Sequence, residues 1–463
     1  MKIILTHLYF IEEDELEKSI MKPYPPLGIL YLSAYLKKHS VDVEIFDSTF
    51  STYADLISSL EEKKPDAVGI YCNMVTKLNV LKLIKYCNNS GITTILGGPD
   101  ASTQVDEFLN YGADVVVSGE GEEALLSIVA TLSQKNKHHL YDISNVSYKD
   151  ESGNIRKNEK KQSKLVLDDL PYPDYAGIDF DKYLNTWEKH HGIRSISLIT
   201  ARGCAFTCRW CSHSVFGWTH RRRNPKNVIS ELMELIERYK PTQIWFADDV
   251  FSISRNWLMK FNGLLKQNNI KITFECLSRA DSLDEDRIAI LKDMGCYRIW
   301  FGSESGSQRI LDAMGRKVTK EEITNITKLC QKHGIEAGLF VMFGYPGEGI
   351  SDIYETINYI SNLQPDRYLT TIVYPLLGTL MYEDIKDKII CNKDWDSYLQ
   401  RELDLKGRFT KELYSLSINK LGLDYRIKSL AKQGKDPLKR AYLTAKSIAT
   451  DIKIRRLSGM RTG

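Results

Sequence analysis

The chain has 463 residues, 43% hydrophobic and 27% charged, with 63 Lys and Arg against 60 Asp and Glu, a formal net charge of +3. That length exceeds one ordinary hydrophobic core and predicts two to three domains. The composition is that of an ordinary globular protein, and no stretch reaches the roughly 18 consecutive apolar residues needed to span a bilayer. The opening Met1–Phe10 runs straight into Glu12, Glu13, Asp14 and Glu15, with no long apolar segment or small-residue cleavage site. No signal peptide is therefore expected. Nine cysteines, scattered outside one cluster, read as reduced thiols of a cytoplasmic protein rather than a disulfide framework.

From Met1 to about Ile143, short apolar strands alternate with helical periodicity. The strands are expected at Lys2–Thr6, Val41–Asp47, Ala67–Cys72, Thr93–Gly98 and Val115–Gly119, with helices at Gly28–Lys38 and Leu78–Asn88. This rhythm predicts a doubly wound, flavodoxin-like or Rossmann-like parallel sheet over residues 1–145, whose ligands sit at the carboxyl ends of the strands. Small and polar residues gather at those ends: Pro26, Leu27 and Gly28; Asn73, Met74 and Thr76; Gly97, Gly98 and Pro99; and Gly119, Glu120, Gly121 and Glu122. Glycines there let backbone approach a large ligand closely, or simply make tight strand-to-helix turns. Residues 146–190 are expected to form a lysine-rich hairpin and a proline-stiffened connector.

A second α/β series is expected over residues 191–385. Its strands are Ser195–Thr200, Gln243–Phe246, Lys271–Cys276, Tyr297–Phe301, Glu336–Phe343 and Tyr368–Tyr374, and its helices include Val228–Tyr239, Trp257–Asn268, Glu285–Met294 and Lys320–His333. Six such units suggest a partial (β/α)6 barrel with its active site at the C-terminal face of the strands. After the first strand, Cys204, Cys208 and Cys211 place three thiolates within eight residues. Thiolates bind iron–sulfur clusters or zinc. A structural zinc site closes with four ligands; His213 is the one fourth candidate nearby, and the spacing matches no usual zinc pattern. Three thiolates on a four-iron cubane leave one iron open, and buried structural cysteines are the remaining alternative. Polar residues follow the next strand ends: Asp248 and Asp249, then Arg279, then Ser303, Glu304 and Ser305, then Gly344 and Pro346. Taken singly, each charge fits an ordinary salt bridge on a barrel loop.

Two features lie outside these series. The run His220-Arg221-Arg222-Arg223 is too short for a nucleic-acid patch and reads as a solvated face or an anion-pairing site. Residues 386–463 are expected to be helical. From Tyr425 onward they carry eleven Lys and Arg against two Asp, net +9, so the rest of the chain sums to −6. Pro437 opens a helix with Leu438, Ala441, Ala445, Ile448 and Ile452 on one face, which could cap the barrel or rest on an anionic membrane surface.

The C-x3-C-x-aromatic-C run at Cys204–Cys211 resembles the signature of the radical S-adenosylmethionine (SAM) enzymes. The upstream order Pro26-Leu27-Gly28, Gly97-Gly98-Pro99 and Gly119-Glu120-Gly121-Glu122 resembles the cobalamin-binding domain that precedes many radical SAM cores. The resemblance implies a 4Fe-4S cluster held by Cys204, Cys208 and Cys211, with SAM on the open iron. One electron from an external flavodoxin- or ferredoxin-type reductant then yields a 5′-deoxyadenosyl radical. It further implies that Asp248, Asp249, Arg279, Ser303, Glu304, Ser305, Gly344 and Pro346 contact SAM. Cobalamin is expected against Pro26, Leu27, Gly28, Asn73, Met74, Thr76, Gly97–Pro99 and Gly119–Glu122. The Asp-x-His-x-x-Gly motif is absent, which implies cobalamin without a histidine lower ligand.

The expected function is methylation of an unactivated carbon of a small-molecule or lipid substrate through methylcobalamin. The alternative of the same architecture is a non-methylating radical reaction, such as oxidative cyclisation or carbon–carbon coupling, without bound cobalamin if need be. A non-catalytic cobalamin or redox sensor is the alternative of another class. A transfer-RNA methylthiotransferase is set aside for want of a second cysteine triplet. The expected location is the cytoplasm, at the inner face of the membrane if the basic C-terminus makes that contact.

Overall fold

The computed structural model describes residues 1–134 and 137–462. The chain divides into two compact units. The first comprises Met1–Ala205, Ser212–Trp245 and Lys393–Gln400; the second comprises Phe206–Cys211, Phe246–Asn392 and Arg401–Gly463.

The first unit holds a seven-stranded sheet of β1 (Lys2–Thr6), β2 (Asp42–Ile45), β3 (Ala67–Tyr71), β4 (Thr93–Gly97), β5 (Val115–Val117), β6 (Val146–Lys149) and β7 (Ile155–Lys157). Their order is β2-β1-β3-β4-β5-β6-β7. The first five are parallel, in the flavodoxin-like order expected of a doubly wound sheet. Period-two alternation supplies a core on each face. Ile4, Val68, Ile70, Leu96 and Val116 pack one way, and Ile3, Leu5, Ile95, Val115 and Val117 the other.

The lysine-rich hairpin forms, and it joins this sheet as antiparallel β6 and β7 instead of standing apart. Its turn is closed by Asp150, whose Oδ1 accepts from the N–H groups of Ser152 and Asn154.

A helix that the sequence reading did not pick out follows the connector. Phe180–His191 is capped by Asp179 and stopped by left-handed Gly192, and it buries Phe180, Tyr183, Leu184 and Trp187. The Tyr183 hydroxyl donates to Asp47 at 2.8 Å, and the Trp187 indole N–H donates to the Pro23 carbonyl at 2.7 Å. His7 is buried with its ring on the same Asp47 at 3.0 Å.

All six strands of the second α/β series form, the first two being Ser195–Leu198 and Gln243–Phe246. In the second unit, Phe274–Ser278, Cys296–Glu304, Glu336–Phe343 and Arg367–Ile372 are parallel, each paired with the next in chain order. The third of these matches its expected bounds, and the others shift by one to three residues at an end. Each is preceded by an amphipathic helix with a sequence-encoded start, such as the Thr319–Glu322 capping box of Lys320–Lys332. The C-terminal region is helical as expected, with helices Lys411–Lys432 and Pro437–Leu457.

Candidate active site

In the first unit, a cavity of about 390 Å³ opens at the carboxyl ends of the parallel strands. Its wall includes Pro26, Leu27, Gly28, Gly97, Gly98, Pro99, Gly119, Glu120, Gly121 and Glu122, ten of the expected cobalamin contacts, together with Tyr31, Tyr71 and Phe216. Apolar surface dominates, and no histidine is among the lining residues. A Cβ added at Gly28 or Gly97 would meet no atom within 4 Å, so any side chain there would protrude into the space. Gly98 has a different reason to be glycine. Its φ is +99°, and a Cβ would sit 2.5 Å from the Cys72 carbonyl oxygen.

Asn73, Met74 and Thr76 do not line this cavity. The Asn73 side-chain oxygen instead accepts from the N–H groups of Val75 and Thr76 at 2.9 and 3.1 Å, closing the turn that leads into helix Lys77–Ser90. The two glutamates on the wall are not free to meet a ligand's polar edge either. Arg202 donates to Glu120 at 2.8 Å and to Glu122 at 2.6 Å, with all three side chains buried, and Arg221 donates to the other oxygen of Glu120. The Arg202 guanidinium lies 5.0 Å from the Tyr31 ring centre.

The basic run is therefore not a solvated face: Arg223 is buried, and Arg221 and Arg222, both half-buried, are held by protein groups. Arg223 is buried on Glu231, which also accepts from the Tyr175 hydroxyl at 2.6 Å, and Arg222 donates to the Thr200 hydroxyl at 3.1 Å.

In the second unit, Cys208 is buried among cations. Its sulfur accepts from Arg279 Nη1 at 3.1 Å and lies 3.7 Å from Arg316 Nη1. A hydrogen bond from Cys211, helped by these two guanidinium groups, brings the Cys208 thiol down to about 5 against the effect of burial. Arg279 is itself fixed. It pairs through two nitrogens with Asp281 at 2.9 and 2.8 Å, donates to the Arg316 carbonyl at 3.0 Å, and stacks 3.9 Å from the Phe206 ring centre. Trp210 packs into an apolar cluster with Ile310, Met314 and Met381, so its place in the motif has a core reason.

Among the described residues no three His, Cys, Asp or Glu side chains form a preassembled metal cage. The donors present nevertheless suit an iron–sulfur cluster: three soft thiols within eight residues of chain, with the Cys208 thiol lowered by a hydrogen bond from Cys211 and by two neighbouring guanidinium groups. His213, the alternative fourth ligand, is stacked on Trp218 with ring centres 3.7 Å apart.

The remaining expected SAM contacts separate into two groups. Asp248, Arg279, Ser303 and Glu304 are buried polar groups at strand ends, while Asp249 is exposed. The strand Cys296–Glu304 shifts register between Gly302 and Glu304, and Glu304 takes a left-handed φ of +56°. Such a bulge re-aims a side chain at a site. Burial pushes the Glu304 carboxyl up to about 7, opposed by Arg316, whose Nη2 is 3.9 Å away. The Ser303 hydroxyl has no partner among the described residues.

Ser305, by contrast, is locked to Thr356 Oγ1 at 3.0 Å and accepts from the Ser307 N–H, so packing accounts for it. The close approach at Gly344 is taken by protein. A Cβ there would lie 3.2 Å from the Tyr414 ring, and the Gly344 N–H donates to Glu348 at 2.6 Å. Pro346 belongs to the same turn. Glu348 and Tyr414 are buried residues that the sequence reading did not single out as site candidates.

Residues 18–129 match the family model described as B12 binding domain, and residues 198–360 match that described as Radical SAM superfamily. The chain is 29% identical over 424 residues to an uncharacterized methyltransferase of Pyrococcus horikoshii, spanning 89% of this chain and 90% of the relative. It is 24% identical over 384 residues to an anaerobic magnesium-protoporphyrin IX monomethyl ester cyclase of Rubrivivax gelatinosus, spanning 79% and 67%. Its fold resembles that of the radical SAM methyltransferase TsrM from Kitasatospora setae, solved with cobalamin and a 4Fe-4S cluster bound. The TM-score is 0.69 at 17% identity, over 85% of this chain and 78% of that one. The two models match in tandem on one chain, a B12-binding domain followed by a radical SAM domain, and the chain is homologous to cobalamin-dependent radical SAM methyltransferases.

Proposed function

We propose that this protein is a cobalamin-dependent radical SAM enzyme that methylates an unactivated carbon of a small-molecule or lipid substrate. The observation that carries the reading is one chain holding both a glycine-floored apolar cavity at the strand ends of its first sheet and a cysteine motif flanked by two buried arginines. The methyltransferase from Pyrococcus horikoshii, similar over nearly the whole of both chains, supports methylation over other outcomes.

In this reading residues 1–145 hold cobalamin and residues 191–385 hold the cluster and SAM. Those groups supply the methyl carrier and the one-electron chemistry. The protein's own residues do the rest. Gly28 and Gly97 offer bare backbone to the edge of a large flat ligand, and the buried Arg202–Glu120–Glu122 ion pairs keep the rim rigid. Arg279 and Arg316 hold Cys208 as thiolate, the ligating form. Asp248, Ser303 and Glu304 are the polar groups for SAM, and Arg279, already paired with Asp281, acts chiefly on the cysteine. An external one-electron donor of the flavodoxin or ferredoxin class and a reducing cytoplasm complete the requirements; no nucleic acid takes part.

A second reading, radical cyclisation without methyl transfer, is favoured by the similarity to the cyclase of Rubrivivax gelatinosus. Product analysis separates the two. Protein purified without oxygen, loaded with iron, sulfide and cobalamin, is given SAM and reductant. Methylation requires S-adenosylhomocysteine in proportion to bound cobalamin alongside 5′-deoxyadenosine. Deoxyadenosine alone supports the second reading, and cleavage of no SAM at all overturns both.

A further inference from the structure

The C-terminal helix presents to solvent the face that its sequence pattern marks as apolar. Pro437 occupies its first turn and Asp436 caps it, accepting from the Lys439 N–H at 2.9 Å. The buried positions are Leu443, Ser447, Thr450 and Ile454. This polar seam is fastened by Ser447 donating to Asp424 at 2.5 Å, by Lys420 donating to Ser447 at 2.9 Å, and by the Tyr354 hydroxyl donating to Asp451 at 2.6 Å. At about 100° per residue, the stripe Leu438, Ala441, Ala445, Ile448 and Ile452 falls on the opposite side.

That stripe is open. Leu438 is 86% exposed, Tyr442 58%, Ile448 57% and Ile452 48%. The expectation that this face caps the barrel is thereby corrected: the helix does pack on Lys411–Lys432, but through its other side. Single exposed apolar residues are ordinary, whereas a continuous stripe along about four turns marks an interaction surface.

Charge identifies the partner. Lys439, Lys446 and Lys453 recur every seven residues along one flank of the stripe, and Arg455 stands on the other. Of the two carboxylates, Asp436 is the cap and Asp451 is held by Arg455 at 2.8 Å and by Tyr354. No helix among the described residues is long and apolar enough to cross a membrane.

We propose that helix Pro437–Leu457 lies on an anionic phospholipid surface. Leu438, Ile448 and Ile452 enter the boundary between headgroups and acyl chains, and the lysines extend to the phosphates. A second copy of the chain would have to pair this cationic stripe with itself, which like-charge repulsion opposes.

The test is sedimentation of the full-length protein with vesicles of equal parts phosphatidylglycerol and phosphatidylcholine, against vesicles of phosphatidylcholine alone. The bound fraction should be about tenfold higher on the anionic vesicles at low salt and should fall steeply at about 0.5 M salt. The Ile448→Glu/Ile452→Glu variant and the Lys439→Gln/Lys446→Gln/Lys453→Gln variant should each lower binding about tenfold with unchanged melting. No retention on anionic vesicles at low salt overturns the proposal. So does full retention of the glutamate variant, which would leave only diffuse charge. A wild-type dimer that the glutamate variant dissociates would assign the face to a second copy instead.

Discussion

At the strand ends of the first sheet the chain withholds side chains; at the strand ends of the second it buries charged ones. Gly28 and Gly97 leave space that a single Cβ would occupy, and the cavity wall is chiefly apolar. Arg279, Arg316, Glu304 and Cys208 fill the strand ends of the second unit with buried charged groups, Arg279 bonded to Cys208 and to the Arg316 carbonyl and Glu304 3.9 Å from Arg316. Two parallel sheets of different strand order thus carry two kinds of candidate site at their strand ends. A cavity made by omission is vulnerable to added volume, and a site made of buried ions is vulnerable to a missing partner.

That contrast sets the expected order of effects. Cys208→Ser should be the most damaging to activity. It replaces a thiolate between two guanidinium groups with a poor iron ligand, so iron content and SAM cleavage should both fall by at least about a hundredfold, read by iron assay and by 5′-deoxyadenosine formation. Arg202→Met tests whether the rim glutamates are structural. It strands Glu122 as a buried charge and should cost about 3–5 kcal/mol in denaturant unfolding; a cost below about 1 kcal/mol would show the ion pairs to be dispensable.

Gly98→Ala tests the tight turn at the cavity wall rather than its open space. The added Cβ meets the Cys72 carbonyl in a left-handed backbone, which should cost about 1–3 kcal/mol and lower cobalamin retention while leaving iron content intact. If iron falls as well, the two sites are not independent.

A further prediction concerns pH. Burial pushes Glu348 up to about 8, with the Gly344 N–H bond working the other way. A carboxyl raised in the folded state favours folding below its ordinary range, and that contribution is lost as pH rises toward 8. The slope is at most about 1.4 kcal/mol per pH unit. Glu348→Gln keeps an acceptor for Gly344 and should flatten the stability profile between about pH 5 and 8. An unchanged profile would mean that Glu348 titrates normally.

Much of this was legible in the sequence because it is local. Continuous apolar runs mark β1 at Lys2–Thr6 and the strand Glu336–Phe343 at their observed bounds, and the glycine clusters mark the cavity wall. Helix Phe180–His191 was legible too, through Asp179, the i, i+3, i+4, i+7 set Phe180, Tyr183, Leu184 and Trp187, and Gly192. The proline-rich stretch before it reads as a connector and masks that pattern.

What sequence could not show was which polar groups find each other. Glu120 and Glu122 look like ligand contacts until Arg202 and Arg221, about a hundred residues on, are seen to hold them. Lys393–Gln400 belongs to the first unit although flanked by second-unit chain. Gln400 donates to Asp100, and Trp395 donates to Gln104 at 2.6 Å. No local pattern encodes such a return. The C-terminal helix failed differently: its apolar stripe is real, but periodicity alone does not say that a stripe is buried.

The most direct test of the central claim is cobalamin content per chain in protein purified without oxygen from cells supplied with the cofactor, measured beside iron. Cobalamin near one per chain together with cluster iron is the result this account predicts. Full iron with no cobalamin would contradict it, because the glycine-floored cavity would then hold something else.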